Sequence, residues 1–448
     1  MASLNHFSEI AELLERESLR FIDLRACDLH GHWRHLTLPA GQFTERLRES
    51  GVGFDGSNYG FRGVDQSDMV LIPDLSTARI DALAGERMLS LICDLCEADE
   101  SRRPFEFDPR ATSKRALGYL QGRGLADDLR VAPEFEFYLF SASQVECSSR
   151  RTLLLLEPCE GGGGSDASAY HAPPPHDGLL DVRNAISAYL ETQGLSVKYH
   201  HHEVGAAGQV EIELNFLGFL EAADAIMVVK DSVRRIARGS GLKATFMPKP
   251  LYDEAGNGLH LHQYLSKGGR NIFADPKGHA GLSELALSYI GGLLKHGASL
   301  MAFTNPSTNS YRRLVPGFEA PLSSRFAVSD RGGAVRIPHY ASPLERRLEL
   351  RTMDATANPY LALAAILMAG LDGIREGLDP LARDLPAGPL PRSLEAALSA
   401  LEHEHRYLCE GGVFSEEQIA HWVRSKSAEA EAVRQRPHPH EFLLYFDL

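Results

Sequence analysis

Residues 200–216 read HHHEVGAAGQVEIELNF, and the fold turns on how this stretch is read. Two short alternating runs flank Gly205-Ala206-Ala207-Gly208, small residues that tolerate a tight reversal, so the stretch predicts a β-hairpin. Glu203 lies just before the break and Glu211 just after it. A pairing centred on Ala207 would bring both carboxylates onto one sheet face. Converging carboxylates repel unless a cation or a shared proton holds them, and hard oxygen ligands suit Mg²⁺ or Mn²⁺ better than zinc. Taken alone, the hairpin reads more simply as a solvated acidic edge. The stretches around it change that.

VAPEFEFYLF at 131–140 alternates strictly and puts Glu134 and Glu136 on one face, Phe135 and Phe137 on the other. GLHLHQYL at 258–265 puts His260 and His262 on a common face, and RRLELRT at 346–352 does the same for Arg347, Glu349 and Arg351. Together these strand candidates project Glu134, Glu136, Glu203, Glu211, His260 and Glu349. Five carboxylates and one imidazole exceed what one ion needs. Three ligands each for two ions, with water or substrate phosphate completing each shell, is the natural division. Arg313, Arg331, Arg336 and Arg351 from the later segments supply a cationic clamp for phosphates and a carboxylate. This is the chemistry of a two-metal, ATP-dependent phosphoryl-transfer enzyme.

The bulk properties agree. A chain of 448 residues has room for two or three domains, and 44% hydrophobic with 24% charged residues is a globular composition. A formal net charge of −14 argues against nucleic acid or an anionic membrane as partner. Six scattered cysteines suit a reducing cytoplasm rather than a disulfide framework, and the lone Cys93-x-x-Cys96 has no second pair for a zinc ribbon. The opening MASLNHFSEIAELLERESLRF reads as an amphipathic helix, not a secretory signal. The apolar run at 360–371 falls short of the ~20 residues a membrane helix needs. A cytoplasmic location is expected.

Residues 1–103 read as a small α+β unit. It has a hairpin over 20–42, a glycine-rich loop at 51–61 carrying Asp55 and Ser57, and a strand at 85–96. A boundary is expected near Arg102-Arg103-Pro104, with the second unit at 104–448. The segment 157–178 reads as a long loop of the kind that covers active sites; no Gly-Lys-Ser/Thr follows its glycines, so it is not a phosphate loop. Residues 305–340 are expected to be mostly loop. Pro359 should start a long apolar helix at its first position, ending near Gly377.

The ordered motifs resemble the type I glutamine synthetase family over nearly the whole chain. They run from FDGSN (54–58) and SDMVLIPD (67–74) through APEFEFYLF, HHEVGAAGQVEIE, ATFMPKP (244–250) and HLHQYL. FTNPSTNSYRRLVPGFEAP (303–321), RIP (336–338) and ANPYLALAAILMAGLDGI (357–374) follow, and PHPHEFLLYF at 437–446 resembles the family's last strand. The resemblance implies an α+β fold: a small N-terminal β-grasp domain, then a large catalytic domain with a curved antiparallel sheet and surrounding helices. It implies a dodecamer with active sites between subunits, and ligation of ammonia to L-glutamate through a γ-glutamyl phosphate at the expense of ATP. By position, Glu136, Glu203 and Glu211 match the ligands of one Mg²⁺ or Mn²⁺, and Glu134, His260 and Glu349 those of the second. Arg331 and Arg336 match phosphate-binding arginines, and Arg313 and Arg351 those that hold glutamate. Glu136 and the Gly256 carbonyl also face glutamate in that match. Phe216 and His262 match nucleotide-pocket positions, Glu319 the flap glutamate, and Asp55 the base that takes a proton from ammonium.

Some positions depart from the family pattern. Ala255 replaces an asparagine, Tyr264 a serine and Leu344 a lysine; the loop after Asp55 is one residue shorter and carries Tyr59. Arg383 occupies the region of the tyrosine that is adenylylated in some members, which argues against that control. These changes leave open an alternative with the same first half-reaction, in which an organic amine replaces ammonia to give a γ-glutamyl amide. A third reading, a non-catalytic protein on the same fold, would be expected to lose metal ligands, and all six ligand positions are filled.

Overall fold

The computed structural model describes residues 6–160, 169–339, 342, 345–382 and 389–448. Its strands, in chain order, are β1 (Phe21–Cys27), β2 (Trp33–Pro39), β3 (Val52–Asp55), β4 (Asp68–Asp81), β5 (Met88–Glu97), β6 (Asp128–Cys147), β7 (Thr152–Pro158) and β8 (Val197–His202). They continue with β9 (Gln209–Leu214), β10 (Lys243–Thr245), β11 (Leu259–Lys267), β12 (Arg270–Asn271), β13 (Ser323–Val328), β14 (Gly333–Ile337) and β15 (Leu348–Leu350). β1–β5 form one sheet in the order β2-β1-β5-β4-β3. The others form a ten-stranded sheet along β13-β14-β15-β11-β6-β9-β8, with β7 and β10 on β6 and β12 on β11. This second sheet is antiparallel throughout its path except for the parallel pair β13–β14.

Two expectations from sequence need correction. The 157–178 loop is preceded by β7, whose leucine run pairs back on β6 as a hairpin. TLLLLEP does not alternate, so period two could not reveal it. The 305–340 segment is mostly loop as expected, with a helical turn, Ser310–Arg313, and the strands β13 and β14 set into it. The closing stretch is a helix, Pro439–Tyr445, not a strand. Pro439 has no N–H to give a ladder but fits the first helical turn, and Glu441 completes a capping box with His438.

The helix Pro359–Glu376 behaves as its sequence predicts. Pro359 opens it, the Asn358 side chain caps it by accepting from the Tyr360 N–H (3.2 Å), and Gly377 ends it at φ +63°. It is buried on nearly every face and packs on the helix Glu284–Lys295. There a Cβ on Gly292 would meet the Ala369 carbonyl at 2.1 Å, so only glycine permits the approach.

The two sheets are joined by polar groups that sit inside one continuous apolar core. Asn358 donates through Nδ2 to the Asp28 and Leu29 carbonyls (3.1 Å each). Arg110, 2% exposed, pairs with Asp74 and Asp94 of the first sheet and with Asp224 of the helix Phe219–Gly239. Tyr360 Oη also donates to Asp224 (2.7 Å). A buried cation among three carboxylates is costly to remove, because the anions are left uncompensated. Arg110→Met is expected to destabilise the fold by about 3–5 kcal/mol, read as a lower urea midpoint.

Candidate active site

The large sheet builds the site by register. His201 of β8 faces Glu211 of β9; Glu211 and Glu213 face Glu136 and Glu134 of β6; Glu134 faces His260 of β11. His262 then faces Glu349 of β15, and Glu349 faces Arg336 of β14. Directly opposed residues share a face, so every one of these side chains lies on the same side of five neighbouring strands and β14. Above them is a cleft of about 960 Å³.

The hairpin forms, but its pairing is centred one residue earlier than expected. His201, not Glu203, stands opposite Glu211, and the Glu203 N–H donates to the Gln209 carbonyl (2.9 Å). Glu203 is therefore diagonal to Glu211 and still on its face. The structure brings Glu134, His260 and Glu349 together, with ligand atoms within 4.8 Å of one another. Glu211 is shared between two further groups, one with Glu134 and Glu136, the other with His201 and Glu203. His201 and Glu213 were missed in the sequence. Each is two residues from an identified carboxylate, so period two would have found them.

Charge crowding marks this face. Burial pushes the Glu203 carboxyl up to about 8, with the Glu136 charge adding to it. Burial, then the Glu134 charge, raises Glu211 well above the usual range. Burial acts on Glu134 too, but hydrogen bonds from His260 (3.0 Å) and His262 (3.3 Å) outweigh it and hold that carboxyl well down. Glu349, fully buried, is also lowered: burial opposes the shift, and the charges of His262 and Arg351 prevail. The donor set of carboxylates and imidazole, crowded enough to raise two of its own acids, fits hard divalent cations.

The arginines converge as expected. Arg336 pairs with Glu349 Oε2, and Arg351 Nη1 donates to Glu349 Oε1 (2.5 Å). Arg313 is 3% exposed; Nη2 sits 3.0 Å from His260 Nε2, and Nη1 donates to the Thr352 carbonyl (2.9 Å). Arg331 lies at the mouth, with Nε 3.6 Å from the Glu319 carboxylate. The Gly256 backbone lines the cleft, and its carbonyl accepts from Gln209 Nε2 (3.1 Å). Gly258 lets its N–H reach Glu136 Oε2 (2.6 Å); a Cβ there would lie 2.4 Å from His260 Nε2. Tyr170 and His171, from the expected covering segment, also line the cleft; residues 161–168 of that segment are outside the described residues.

Several predicted residues stand apart. Asp55 is exposed at the end of β3, where it accepts from the Ser57 N–H (2.9 Å), and it does not line the cleft of its own chain. His262 is buried, and Phe216 is edge-on to Tyr264 with ring centroids 4.9 Å apart; neither lines the cleft. The Ala255 carbonyl accepts from Tyr138 Oη (2.7 Å). Leu344 and Arg383 lie outside the described residues.

The raised Glu203 acid has a signed consequence. A carboxyl whose folded pKa exceeds its unfolded value binds more protons when folded, so its contribution falls as pH rises from about 4.5 to about 8. A cation that displaces the proton reverses this. The rise in thermal midpoint on adding Mg²⁺ or Mn²⁺ is expected to be larger at pH 8 than at pH 6, and Glu203→Gln should flatten that difference.

Residues 106–445 match the family model described as glutamine synthetase, catalytic domain, and residues 18–98 the one described as glutamine synthetase, beta-Grasp domain. Glutamine synthetase of Mycolicibacterium smegmatis is 39% identical over 472 residues, covering 98% of each chain. Those of Salmonella typhimurium and Escherichia coli K12 are each 40% identical over 466 residues, covering 98% of this chain and 99% of theirs. Among solved structures, Plasmodium falciparum glutamine synthetase superposes with a TM-score of 0.92 at 24% identity, covering 99% of this chain and all of that one. GmaS without ligand gives 0.84 at 29% identity, also over 99% and 100%.

Proposed function

The chain belongs to the glutamine synthetase family, and on that footing we propose that it is an ATP-dependent carbon–nitrogen ligase joining ammonia to the γ-carboxylate of L-glutamate, giving glutamine, ADP and phosphate. The observation that carries this reading is the cleft itself: carboxylates and imidazoles on adjacent strands, faced by Arg313, Arg336 and Arg351. In this reading residues 1–103 are the β-grasp unit and residues 104–448 the catalytic unit. The enzyme works in the cytoplasm as a dodecamer.

A carboxylate is a poor acyl donor, because oxide or hydroxide is a poor leaving group. Phosphorylation by ATP turns it into an acyl phosphate, from which ammonia displaces phosphate. Glu134, His260 and Glu349 would hold one divalent cation, Mg²⁺ or Mn²⁺, and Glu136, Glu203 and Glu211 the other. Once bound, these ions supply the positive charge that lets anionic glutamate approach anionic ATP. Arg336 and Arg331 bind the phosphates, and Arg313 and Arg351 orient glutamate. The Gly256 carbonyl, which has a second lone pair, accepts from the α-ammonium. Phe216 and His262 border the nucleotide. Glu319 closes over the intermediate against water. Asp55, supplied by a neighbouring copy of the chain, takes the proton that must leave ammonium before its nitrogen can attack. That division of labour agrees with Asp55 lying outside its own cleft.

ATP-dependent phosphate release with Mg²⁺ and glutamate, compared across ammonium and a panel of organic amines, is the deciding experiment. Saturation by ammonium supports the reading; release only with an organic amine would move the product to a γ-glutamyl amide. Glu349→Ala should lower phosphoryl transfer about 10²-fold or more at saturating Mg²⁺. Asp55→Ala should slow amide formation about 10²–10⁴-fold while leaving acyl-phosphate formation, followed by isotope exchange within ATP, much less affected.

A further inference from the structure

The loop that carries Glu319 turns one ring, that of Phe318, away from solvent. Residues 316–319 are consecutive turn residues; Pro316, Gly317 and Glu319 are exposed and only Phe318 is half-buried. Gly317 takes φ +95°, which glycine adopts freely, but Glu319 takes φ +53°, a region its side chain disfavours, so the backbone at Glu319 does not hold this shape by local preference. Outside the loop, Arg351 Nη2 donates to the Glu319 carbonyl (3.2 Å). The Glu319–Arg331 pair, 3.6 Å apart with both side chains more than half exposed, holds weakly in water.

A further contact is of another kind. The Phe318 ring lies over the Lys249 ammonium, with Nζ 3.6 Å from the ring centroid, the shortest cation–ring contact among the described residues. Lys249 is 9% exposed and sits on a fixed wall. Its N–H donates to Asn309 Oδ1 (2.7 Å), its carbonyl accepts from Asn309 Nδ2 (3.1 Å), and its ammonium donates to the Glu254 carbonyl. A rigid, largely desolvated cation thus meets the one ring at the tip of a sparsely tethered loop that also lines the cleft.

The geometry points to Lys249 and Phe318 as a latch: positioning residues that keep the Glu319 loop against the cleft wall and thereby exclude water from the activated intermediate. This rests on the ligase reading above. With the loop held, ammonia nitrogen forms the C–N bond at the carbon of the γ-carboxyl group as the C–O bond to phosphate breaks, and nitrogen gives up a proton as the amide forms. With the loop released, a water oxygen attacks the same carbon and the same C–O bond breaks. Glutamate, phosphate and a proton then leave, and ATP is consumed with no amide made. A cation–ring contact at a partly desolvated site biases such an equilibrium about two- to thirtyfold, enough to favour closure while still allowing product to leave.

The test is the ratio of phosphate released to amide formed, together with cleavage after Glu319 by a glutamyl endopeptidase, read by mass. Phe318→Leu keeps apolar bulk but loses the ring face; Lys249→Met keeps the stem but loses the charge. Both are expected to raise the ratio about two- to thirtyfold and to speed cleavage by a similar factor, with thermal midpoints near that of the parent. The double variant should be no worse than Lys249→Met alone, since the ring contact is already lost there, and Lys249→Arg, which can still cover a ring, should restore coupling. An unchanged ratio in single variants that still form amide would overturn the latch. If the parent releases no phosphate with any amine, the ligase reading fails instead, and the cleavage rates alone decide the latch, equal rates refuting it.

Discussion

Like charge buried on one face is the constraint on which the rest of this structure depends. Glu134, Glu136, Glu203, Glu211, Glu213 and Glu349 share a single sheet surface, and Glu211, Glu213 and Glu349 are at most 5% exposed. Carboxylates in such a place must be protonated, paired or bound to cations. The structure uses the first two devices where it can. Glu203 and Glu211 are pushed towards the neutral acid, while Glu349 is clamped between Arg336 and Arg351.

Antiparallel pairing makes the crowding possible. Alternate residues on a strand share a face, and directly opposed residues on neighbouring strands lie side by side. Short motifs far apart in the chain therefore become one surface once β8, β9, β6, β11 and β15 are laid in order. Apolar residues on the reverse side, among them Phe135, Phe137, Val210, Ile212, Leu259 and Leu261, are all essentially inaccessible to solvent. The burial of that reverse face fixes the register, since a slip of one residue would exchange the two faces. The same apolar face that stabilises the sheet thus aims the acids into the cleft.

The smaller sheet is tied to this scaffold by buried ions as well as by apolar contact. Arg110 joins Asp74 and Asp94 to Asp224, and a second network links Arg25, Asp81, Asp231 and Arg235. Such networks specify one arrangement of the sheets, because any other would leave charges buried and unmatched. Asp55 stands at the end of β3 on that smaller sheet and does not line the cleft of its own chain.

Alternation and spacing in the sequence were enough to determine the strands of the site, the faces of Glu134, Glu136, His260 and Glu349, and the capped helix from Pro359 to Gly377. These are local matters: period two, helix caps and turn residues act over a few positions. Tertiary structure alone decided the rest. The pairing centred on Ala206 rather than Ala207 set His201 opposite Glu211, and the β6 partnership set Glu213 opposite Glu134. β7, β13 and β14 formed because an edge was available to pair, and the last segment became a helix although its motif resembles a strand. Which groups meet across strands depends on register, and register is set by the burial of a whole face, a sum over residues too distant in sequence for any one stretch to record.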